Sequence, residues 1–183
     1  MNKAVFLDRD GTINVEKNYL YKIEDFEFLP QALDGMKMLY DAGYLLIVIT
    51  NQSGIARGYY TEKDYEKLTD HMKQICADYG VDFADIQYCP HLEGATVPEY
   101  DRKCDCRKPA TGLFKRAVEK YDIDLSESYA IGDKMRDLSI CNDTGCRGYL
   151  IGGTADRESA ENIESVESLY DAACRIILRN KEG

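Results

Sequence analysis

The stretch that decides the fold lies near the start of the chain, where residues 4–12 read AVFLDRDGT. Its first four residues are apolar, a pattern typical of a strand that is buried on both faces of a parallel sheet. Two carboxylates, Asp8 and Asp10, follow this strand at the edge where open α/β sheets place their ligands. Two acids so close together are costly without positive charge, so the stretch predicts a divalent cation, a phosphate-binding lysine, or both.

Apolar segments and helical patterns alternate along the rest of the chain. Further strands are predicted at 44–49, 86–88, 128–131 and 147–151, with amphipathic helices between them. A last helical stripe is predicted to include Val166, Leu169 and Ala173. This alternation predicts an α/β fold, a Rossmann-like three-layer sandwich with a central parallel sheet of five strands. We expect residues 1–183 to form a single domain.

Composition excludes several classes of partner. The net charge of -10 argues against nucleic acid and against anionic membranes, because both need basic surface. No signal peptide or apolar run of ~20 residues is visible. The odd number of 7 cysteines, without a secretory signal, favours a reducing environment and predicts a cytoplasmic location. No exposed heptad or apolar patch can be read from the sequence, so a monomer is expected.

Polar side chains follow several predicted strands and should meet at one edge of the sheet. Thr50 ends the second strand, Asp133 follows the fourth, and Lys108 precedes a helix. Carboxylates from two strands form a hard-oxygen site suited to Mg²⁺, while Lys and Thr are phosphate donors. The set therefore predicts phosphoryl transfer, in which one Asp attacks phosphorus and another transfers the proton.

Each of these features also has a simpler interpretation. Asp-Gly-Thr after a strand is often only a turn, Arg-Lys before Pro is usually solvated surface, and Asp133 could be a helix N-cap. A phospho-aspartate signalling domain also combines acids, Thr and Lys on a parallel sheet, although it phosphorylates an Asp after the third strand. A zinc-stabilised module acting on nucleic-acid ends is a third alternative, which the acidic charge disfavours.

Four ordered motifs resemble those of the haloacid dehalogenase superfamily: DRDGT at 8–12, Thr50, Lys108 and GDKMRD at 132–137. The resemblance implies that Asp8 is the nucleophile and forms an aspartyl-phosphate, and that Asp10 is the general acid/base. It implies that Thr50 and Lys108 bind phosphate, and that Asp8, Asp133 and the Asp10 backbone carbonyl hold Mg²⁺. For Asp137 two roles remain open, orienting Lys134 or orienting a metal-bound water.

A long loop at residues 89–109 carries a second candidate metal site. Its four candidate ligands are three thiols and one imidazole, a set that suits a closed tetrahedral Zn²⁺ site: Cys89, His91, Cys104 and Cys106. A loop of this length without helical or strand periodicity also needs internal support. The alternative is that the cysteines are free and His91 is a surface residue. We predict structural zinc, because the four ligands leave no coordination position open.

This loop, which leads into CRKP at 106–109, and TNQSGIARG at 50–58 are similar to the histidinol-phosphatase-like branch of the superfamily. The branch has no large cap domain and includes phosphatases of a heptose bisphosphate and of histidinol phosphate. The resemblance favours a small sugar bisphosphate as substrate, with histidinol phosphate as the alternative, and Arg107 for a second anionic group. The substrate-binding residues that it implies are Glu16, Lys17, Asn18, Tyr19, Asn51, Gln52, Ser53, Arg107 and Lys134.

Overall fold

A computed structural model describes residues 1–142, 144–153 and 161–182. Within them the chain forms six strands: β1 (Ala4–Leu7), β2 (Leu45–Asn51), β3 (Asp85–Cys89), β4 (Tyr129–Gly132), β5 (Arg147–Ile151) and β6 (Ile163–Val166). All neighbouring strands pair in parallel, in the order β3-β2-β1-β4-β5-β6. The strand that carries the DRDGT motif therefore lies near the middle of the sheet, between β2 and β4.

Helices cover both faces of this sheet, as the alternating pattern predicts. The α-helices of the described residues are α1 (Ala32–Asp41), α2 (Glu62–Asp78), α3 (Gly112–Tyr121) and α4 (Leu169–Glu182). Alternate residues of β1 enter different cores: Val5 and Leu7 pack with α1, α2 and α4, while Ala4 and Phe6 pack with α3. The three-layer α/β sandwich is thus confirmed, with an apolar core on each side of the sheet.

The predicted number of five strands is wrong, because a sixth strand follows the segment 154–160. Val166 was assigned to the last helix but ends β6, where it pairs with Ile151. Its spacing to Leu169 fits a helical stripe, and both side chains are buried in the same core, which explains the error. The helix itself begins at Leu169.

Parallel pairing brings the polar ends of three strands to one edge. Leu7 lies opposite Val48 of β2 and Ile131 of β4, so the residues that follow all three strands emerge together. Two glycines permit this crowding. A Cβ atom at Gly132 would lie 2.2 Å from Cβ of Asp137, and Gly11 has a φ of +85° beside the Asp133 carboxylate.

Two long segments cover this edge of the sheet. One runs from the end of β1 to the start of α1 and contains a single turn of 3₁₀ helix, Ile23–Asp25. The other connects β3 to α3 and contains the predicted zinc loop. Among the described residues, no helix is long and apolar enough to cross a bilayer.

Candidate active site

Lys108 lies between two carboxylates at the centre of the site. Its Nζ is 2.8 Å from Oδ1 of Asp8 and 2.8 Å from Oδ1 of Asp137. The same ammonium donates a hydrogen bond to the backbone carbonyl of Ile49 at 2.6 Å. Asn51 fixes the backbone of Lys108 on both sides, because its amide accepts from Lys108 N–H at 3.0 Å and donates to Lys108 C=O at 3.1 Å. The lysine is therefore held rigidly against Asp8.

Burial and neighbouring charges both shift the pKa values of this group. It raises the pKa of Asp8 to about 7, although the neighbouring charge of Lys108 opposes the shift. Burial alone would lower the pKa of Lys108, but the carboxylates of Asp8 and Asp137 outweigh it and raise that pKa above its ordinary value. Burial also raises the pKa of Asp133, and the nearby charge of Asp137 adds to the effect. The three acids outnumber the single buried ammonium, so the site attracts a further cation.

The three carboxylates are arranged so that a cation can be held. One oxygen from each of Asp8, Asp133 and Asp137 lies within 4.8 Å of the others. Carboxylate oxygens are the ligands that Mg²⁺ prefers. The donor set, its burial and its excess negative charge all fit a divalent cation at the end of β1. Both oxygens of Asp137 already have partners, because Oδ1 pairs with Lys108 at 2.8 Å and Oδ2 accepts the backbone N–H of Lys134 at 2.9 Å. Asp8 and Asp133 are therefore the better candidates for direct ligands.

Asp10 points to a different set of partners from Asp8. Arg9 donates to both of its carboxylate oxygens, and Asn14 and Gln52 donate to one oxygen each at 3.0 Å. Gln52 also donates to the hydroxyl oxygen of Thr50 at 2.9 Å. The two acids of the motif therefore differ in environment, since Asp8 faces an ammonium ion and Asp10 lies in a network of planar donors.

A cavity of about 440 Å³ opens beside this network. It is lined by most of the residues predicted to bind substrate, namely Glu16, Asn18, Tyr19, Asn51, Gln52, Ser53, Arg107 and Lys134. A smaller space of about 60 Å³ next to it reaches Asp8, Thr50, Lys108 and Asp133. Lys17 is the exception among the predicted residues, because its side chain turns away to pair with Glu27 at 3.3 Å.

Sequence reasoning missed several residues at this site. Arg57, Tyr60 and Arg136 line the larger cavity, and Arg9 and Asn14 contact Asp10. Arg57 and Arg136 lie within the stretches quoted for the resemblance, so a search for cations flanking those motifs would have selected them. Nothing in the sequence pattern marks Tyr60, whose hydroxyl donates to Gln52 Oε1 at 2.5 Å.

The predicted zinc ligands lie together. One ligand atom from each of Cys89, His91, Cys104 and Cys106 lies within 4.8 Å of the others. The Cys89 sulfur is 3.6 Å from that of Cys104 and 3.1 Å from that of Cys106, and His91 Nδ1 is 3.2 Å from the Cys106 sulfur. Ligands about 2.3 Å from one tetrahedral zinc ion would be separated by similar distances. The four side chains therefore fit such an ion with small adjustments.

One contact of His91 bears on this fit. Nε2 of His91 lies 2.7 Å from a guanidinium nitrogen of Arg102, while Nδ1 faces the sulfurs. A histidine that binds metal through Nδ1 carries its proton on Nε2, and a guanidinium cannot accept that proton. Arg102 is exposed, so its side chain is free to turn away when metal is bound.

The loop that carries these thiols also positions Arg107. The guanidinium of Arg107 donates to the His91 backbone carbonyl at 3.4 Å, and Arg107 directly follows Cys106. Arg107 in turn lines the cavity beside Asp10. The cysteine cluster is thus connected to the cavity through Arg107.

Comparison with known proteins agrees with this geometry. A family model described as polynucleotide kinase 3 phosphatase matches residues 3–164, which contain all four motifs. The chain belongs to this phosphatase family. It is a phosphoric monoester hydrolase of the haloacid dehalogenase superfamily, as its motifs predict.

Curated relatives of this phosphatase share most of its length. A D-glycero-alpha-D-manno-heptose-1,7-bisphosphate 7-phosphatase from Photorhabdus laumondii is 51% identical over 170 residues, covering 92% of this chain and 93% of the relative. A D-glycero-beta-D-manno-heptose-1,7-bisphosphate 7-phosphatase from Haemophilus ducreyi is 41% identical over 177 residues, covering 96% of each chain. Relatives of this phosphatase thus include enzymes named for both anomers.

A solved structure agrees with the relationship that the curated relatives indicate. The D,D-heptose 1,7-bisphosphate phosphatase from B. bronchiseptica, complexed with magnesium and phosphate, superposes with a TM-score of 0.82 at 30% identity. The match covers 97% of this phosphatase and 99% of the other chain. The two chains therefore share one fold over nearly all of their compared length.

Proposed function

We propose that this phosphatase hydrolyses the 7-phosphate of a D-glycero-D-manno-heptose 1,7-bisphosphate and releases heptose 1-phosphate. The observation that carries the proposal is the buried contact of Asp8 with Lys108 beside a cavity that also presents Arg57, Arg107 and Lys134. An acidic protein with cations at its site suits a small substrate with two phosphates. The names of relatives at 41% and 51% identity support the heptose.

In this proposal Asp8 is the nucleophile. An oxygen of the Asp8 carboxylate forms a bond to phosphorus while the bond from phosphorus to the sugar oxygen breaks. Asp10 gives a proton to the departing sugar oxygen, so the alcohol leaves neutral. Lys108 and the hydroxyl of Thr50 balance negative charge on the remaining phosphate oxygens.

The second half of the reaction restores the enzyme. Asp10, now ionised, takes a proton from a water molecule as that water attacks the phosphorus of the aspartyl-phosphate. The bond between phosphorus and the Asp8 oxygen breaks, and inorganic phosphate leaves. Asp10 thereby regains the proton that it gave to the sugar, and the Asp8 carboxylate is free again.

Mg²⁺ is the proposed catalytic cofactor, and a relative with bound magnesium and phosphate supports it. Asp8, Asp133 and the Asp10 backbone carbonyl would hold the ion. When bound, it supplies positive charge next to the phosphate oxygens. Asp137 orients Lys108 and the backbone of Lys134, the role supported by its two contacts.

Zn²⁺ is the proposed structural cofactor of the loop at 89–109. Burial raises the pKa of the Cys89 thiol, so its thiolate needs a cation to be stable. Burial and then the charge of Arg102 lower the pKa of His91, which favours the neutral imidazole that binds metals. Zinc would hold the cluster together and so keep Arg107 at the cavity.

Two other substrates and one signalling function are alternatives to hydrolysis of the heptose bisphosphate. Histidinol phosphate carries one phosphate, so it would leave the cationic outer part of the cavity without an anionic partner. A 3′-phosphate of a polynucleotide is suggested by the description of the family model, but the net charge of -10 disfavours a long polyanion. A phospho-aspartate signalling domain would retain its phosphoryl group.

A steady-state comparison of phosphate release tests the proposal. The substrates are both anomers of the heptose bisphosphate, histidinol phosphate and a 3′-phosphorylated oligonucleotide, each with and without Mg²⁺. We expect multiple turnovers that require Mg²⁺ and the highest kcat/KM on one heptose anomer. Equal or higher kcat/KM on histidinol phosphate or the oligonucleotide, or a single turnover, would contradict the proposed function.

We also propose that this phosphatase works as a monomeric, single-domain enzyme of the cytoplasm. None of the seven cysteines forms a disulfide bond in the structure, which supports a reducing location. The motifs and the cavity all come from one sheet and its connecting loops, which supports one catalytic domain. The residues that line the cavity belong to one chain, which supports the monomer, and size measurement in solution tests it.

A further inference from the structure

Arg9 is a buried cation that the proposed mechanism does not use. It stands between the two carboxylates of the motif, and only 1% of it is exposed. Taking a guanidinium out of water is costly unless its environment compensates for the lost hydration. The position of Arg9 therefore requires an explanation from the groups around it.

The compensating groups centre on Asp10. Nη2 of Arg9 donates to both Asp10 oxygens at 3.0 Å, and Nε approaches Oδ1 at 3.3 Å. Nη2 also donates to the backbone carbonyl of Leu20 at 3.2 Å, and the guanidinium lies 5.6 Å from the centre of the Tyr65 ring. Arg9 thus holds the carboxylate with its planar donors while an aromatic face supports it.

Two other side chains complete the hold on this carboxylate. Asn14 donates to Oδ1 and Gln52 to Oδ2, each at 3.0 Å. The Gln52 amide is itself oriented, since its oxygen accepts the hydroxyl of Tyr60. Rotation of the Asp10 carboxylate would break bonds to three side chains at once, so its orientation is fixed.

Stability alone does not account for this arrangement. The desolvation of a buried ion pair can exceed the gain from its attraction, and replacing the pair by apolar residues of similar volume is often neutral or stabilising. An Arg–carboxylate pair, unlike an apolar pair, fixes the direction in which the carboxylate points. Asp10 is also the group that must exchange protons with the sugar oxygen and with water, which depends strongly on geometry.

We propose that Arg9 is a positioning residue of this phosphatase, which fixes the Asp10 carboxylate in the orientation needed for proton transfer. This inference rests on the proposed function, because it takes Asp10 as the acid/base. It assigns to Arg9 no contact with substrate. The effect of changing Arg9 must therefore pass through Asp10.

A double-mutant cycle tests this dependence. The variants are Arg9→Lys, which keeps the charge but loses the planar pair of donors, Asp10→Asn, and the two combined. We expect Arg9→Lys to lower kcat about 10-fold to 100-fold and to change KM by less than about threefold. In the Asp10→Asn background the same change should alter kcat by less than about threefold, because the acid/base is already lost.

The control is Arg175→Lys, which makes the same exchange in the pair of Arg175 with Asp171 on α4. It should leave kcat unchanged. Equal losses from Arg9→Lys in both backgrounds would overturn the inference, as would a loss confined to KM. If Arg9→Lys does not fold, Asn14→Ala replaces it in the same double-mutant cycle, and we expect a smaller loss of kcat. Wild-type protein without phosphate release would instead contradict the proposed function.

Discussion

Lys108 and Asp8 are 100 positions apart in the chain, yet Nζ of the lysine lies 2.8 Å from Oδ1 of the aspartate. The position of Lys108 is tightly constrained. The lysine side chain is 1% exposed, and its backbone is held by Asn51 at the end of β2. The fold therefore brings the proposed nucleophile and the proposed phosphate-binding cation together before any substrate is present, a preorganisation that acyl- and phosphoryl-transfer sites share.

Replacing Lys108 tests how much this cation supports. Lys108→Met leaves Asp8 and Asp137 buried without their counter-ion, so the free energy of unfolding should fall by about 3 kcal/mol without Mg²⁺. Its kcat should fall about 10²-fold to 10³-fold. Urea denaturation and phosphate release measure the two effects.

The matched control is Lys120→Met. That lysine makes an exposed ion pair with Asp85, so its loss should change the free energy of unfolding by less than about 0.5 kcal/mol. If both variants lose the same free energy of unfolding, the buried contacts of Lys108 do not stabilise the fold more than the ion pair of Lys120 does.

Asp8→Asn should abolish turnover while the fold is retained. The amide has nearly the same shape as the carboxylate but cannot attack phosphorus, so kcat should fall at least about 10⁴-fold. Circular dichroism and thermal denaturation check the fold, and phosphate release checks turnover. Appreciable multiple-turnover activity in a preparation free of wild-type protein would exclude Asp8 as the nucleophile.

Binding of Mg²⁺ should depend on pH. Burial raises the pKa of Asp8 from 3.8 to about 7 in the metal-free protein. Between these values the folded protein keeps a proton on Asp8 that the unfolded chain has lost, so the contribution of Asp8 to the free energy of unfolding falls as pH rises. Mg²⁺ competes with that proton, and its stabilising effect should therefore grow over the same range and level off above pH 7.

Thermal denaturation with and without Mg²⁺ measures this dependence. The increase in Tm caused by saturating Mg²⁺ should be clearly larger at pH about 8 than at pH about 5.5. An increase of the same size at both values would show that protonation of Asp8 does not compete with the metal.

Cys104→Ser should remove zinc. The change takes one of four ligands from a closed site, so bound zinc should fall from one ion per chain to a small fraction. Metal analysis measures this directly, and kcat/KM should fall as well because the loop also positions Arg107. Cys174→Ser, outside the cluster on α4, should retain zinc. Wild-type protein purified without chelators that contains no zinc would remove the structural-zinc proposal.

The sequence was sufficient to predict five of the six strands, their parallel arrangement and the residues that meet at the centre of the site. The run before Asp8 is apolar on both faces, and the polar strand ends follow from parallel pairing alone. The strand β6 was missed because Val166 fits the helical stripe of Leu169 equally well. Only tertiary pairing with β5 decides between the two structures.

The outer part of the site was harder to predict, because it also depends on contacts that the local sequence pattern does not contain. Lys17 lies in the correct segment, but a pairing with Glu27 turns its side chain away from the cavity. The sequence pattern assigns no role to Arg9, which lies between the two aspartates. Its proposed role acts through Asp10, whose carboxylate also accepts from Asn14 and Gln52, and Gln52 is 42 positions from Asp10. Local patterns carry no information on such contacts.

The proposed mechanism depends on transfer of the phosphoryl group to Asp8, and this group can be trapped on the enzyme. The enzyme is mixed with Mg²⁺ and heptose 1,7-bisphosphate, quenched with acid during turnover, digested, and analysed by mass spectrometry. We expect one phosphoryl group on Asp8 in the peptide that contains residues 4–12, and none in Asp8→Asn. A phosphoryl group on another residue, or none in wild-type enzyme that is turning over, would contradict it.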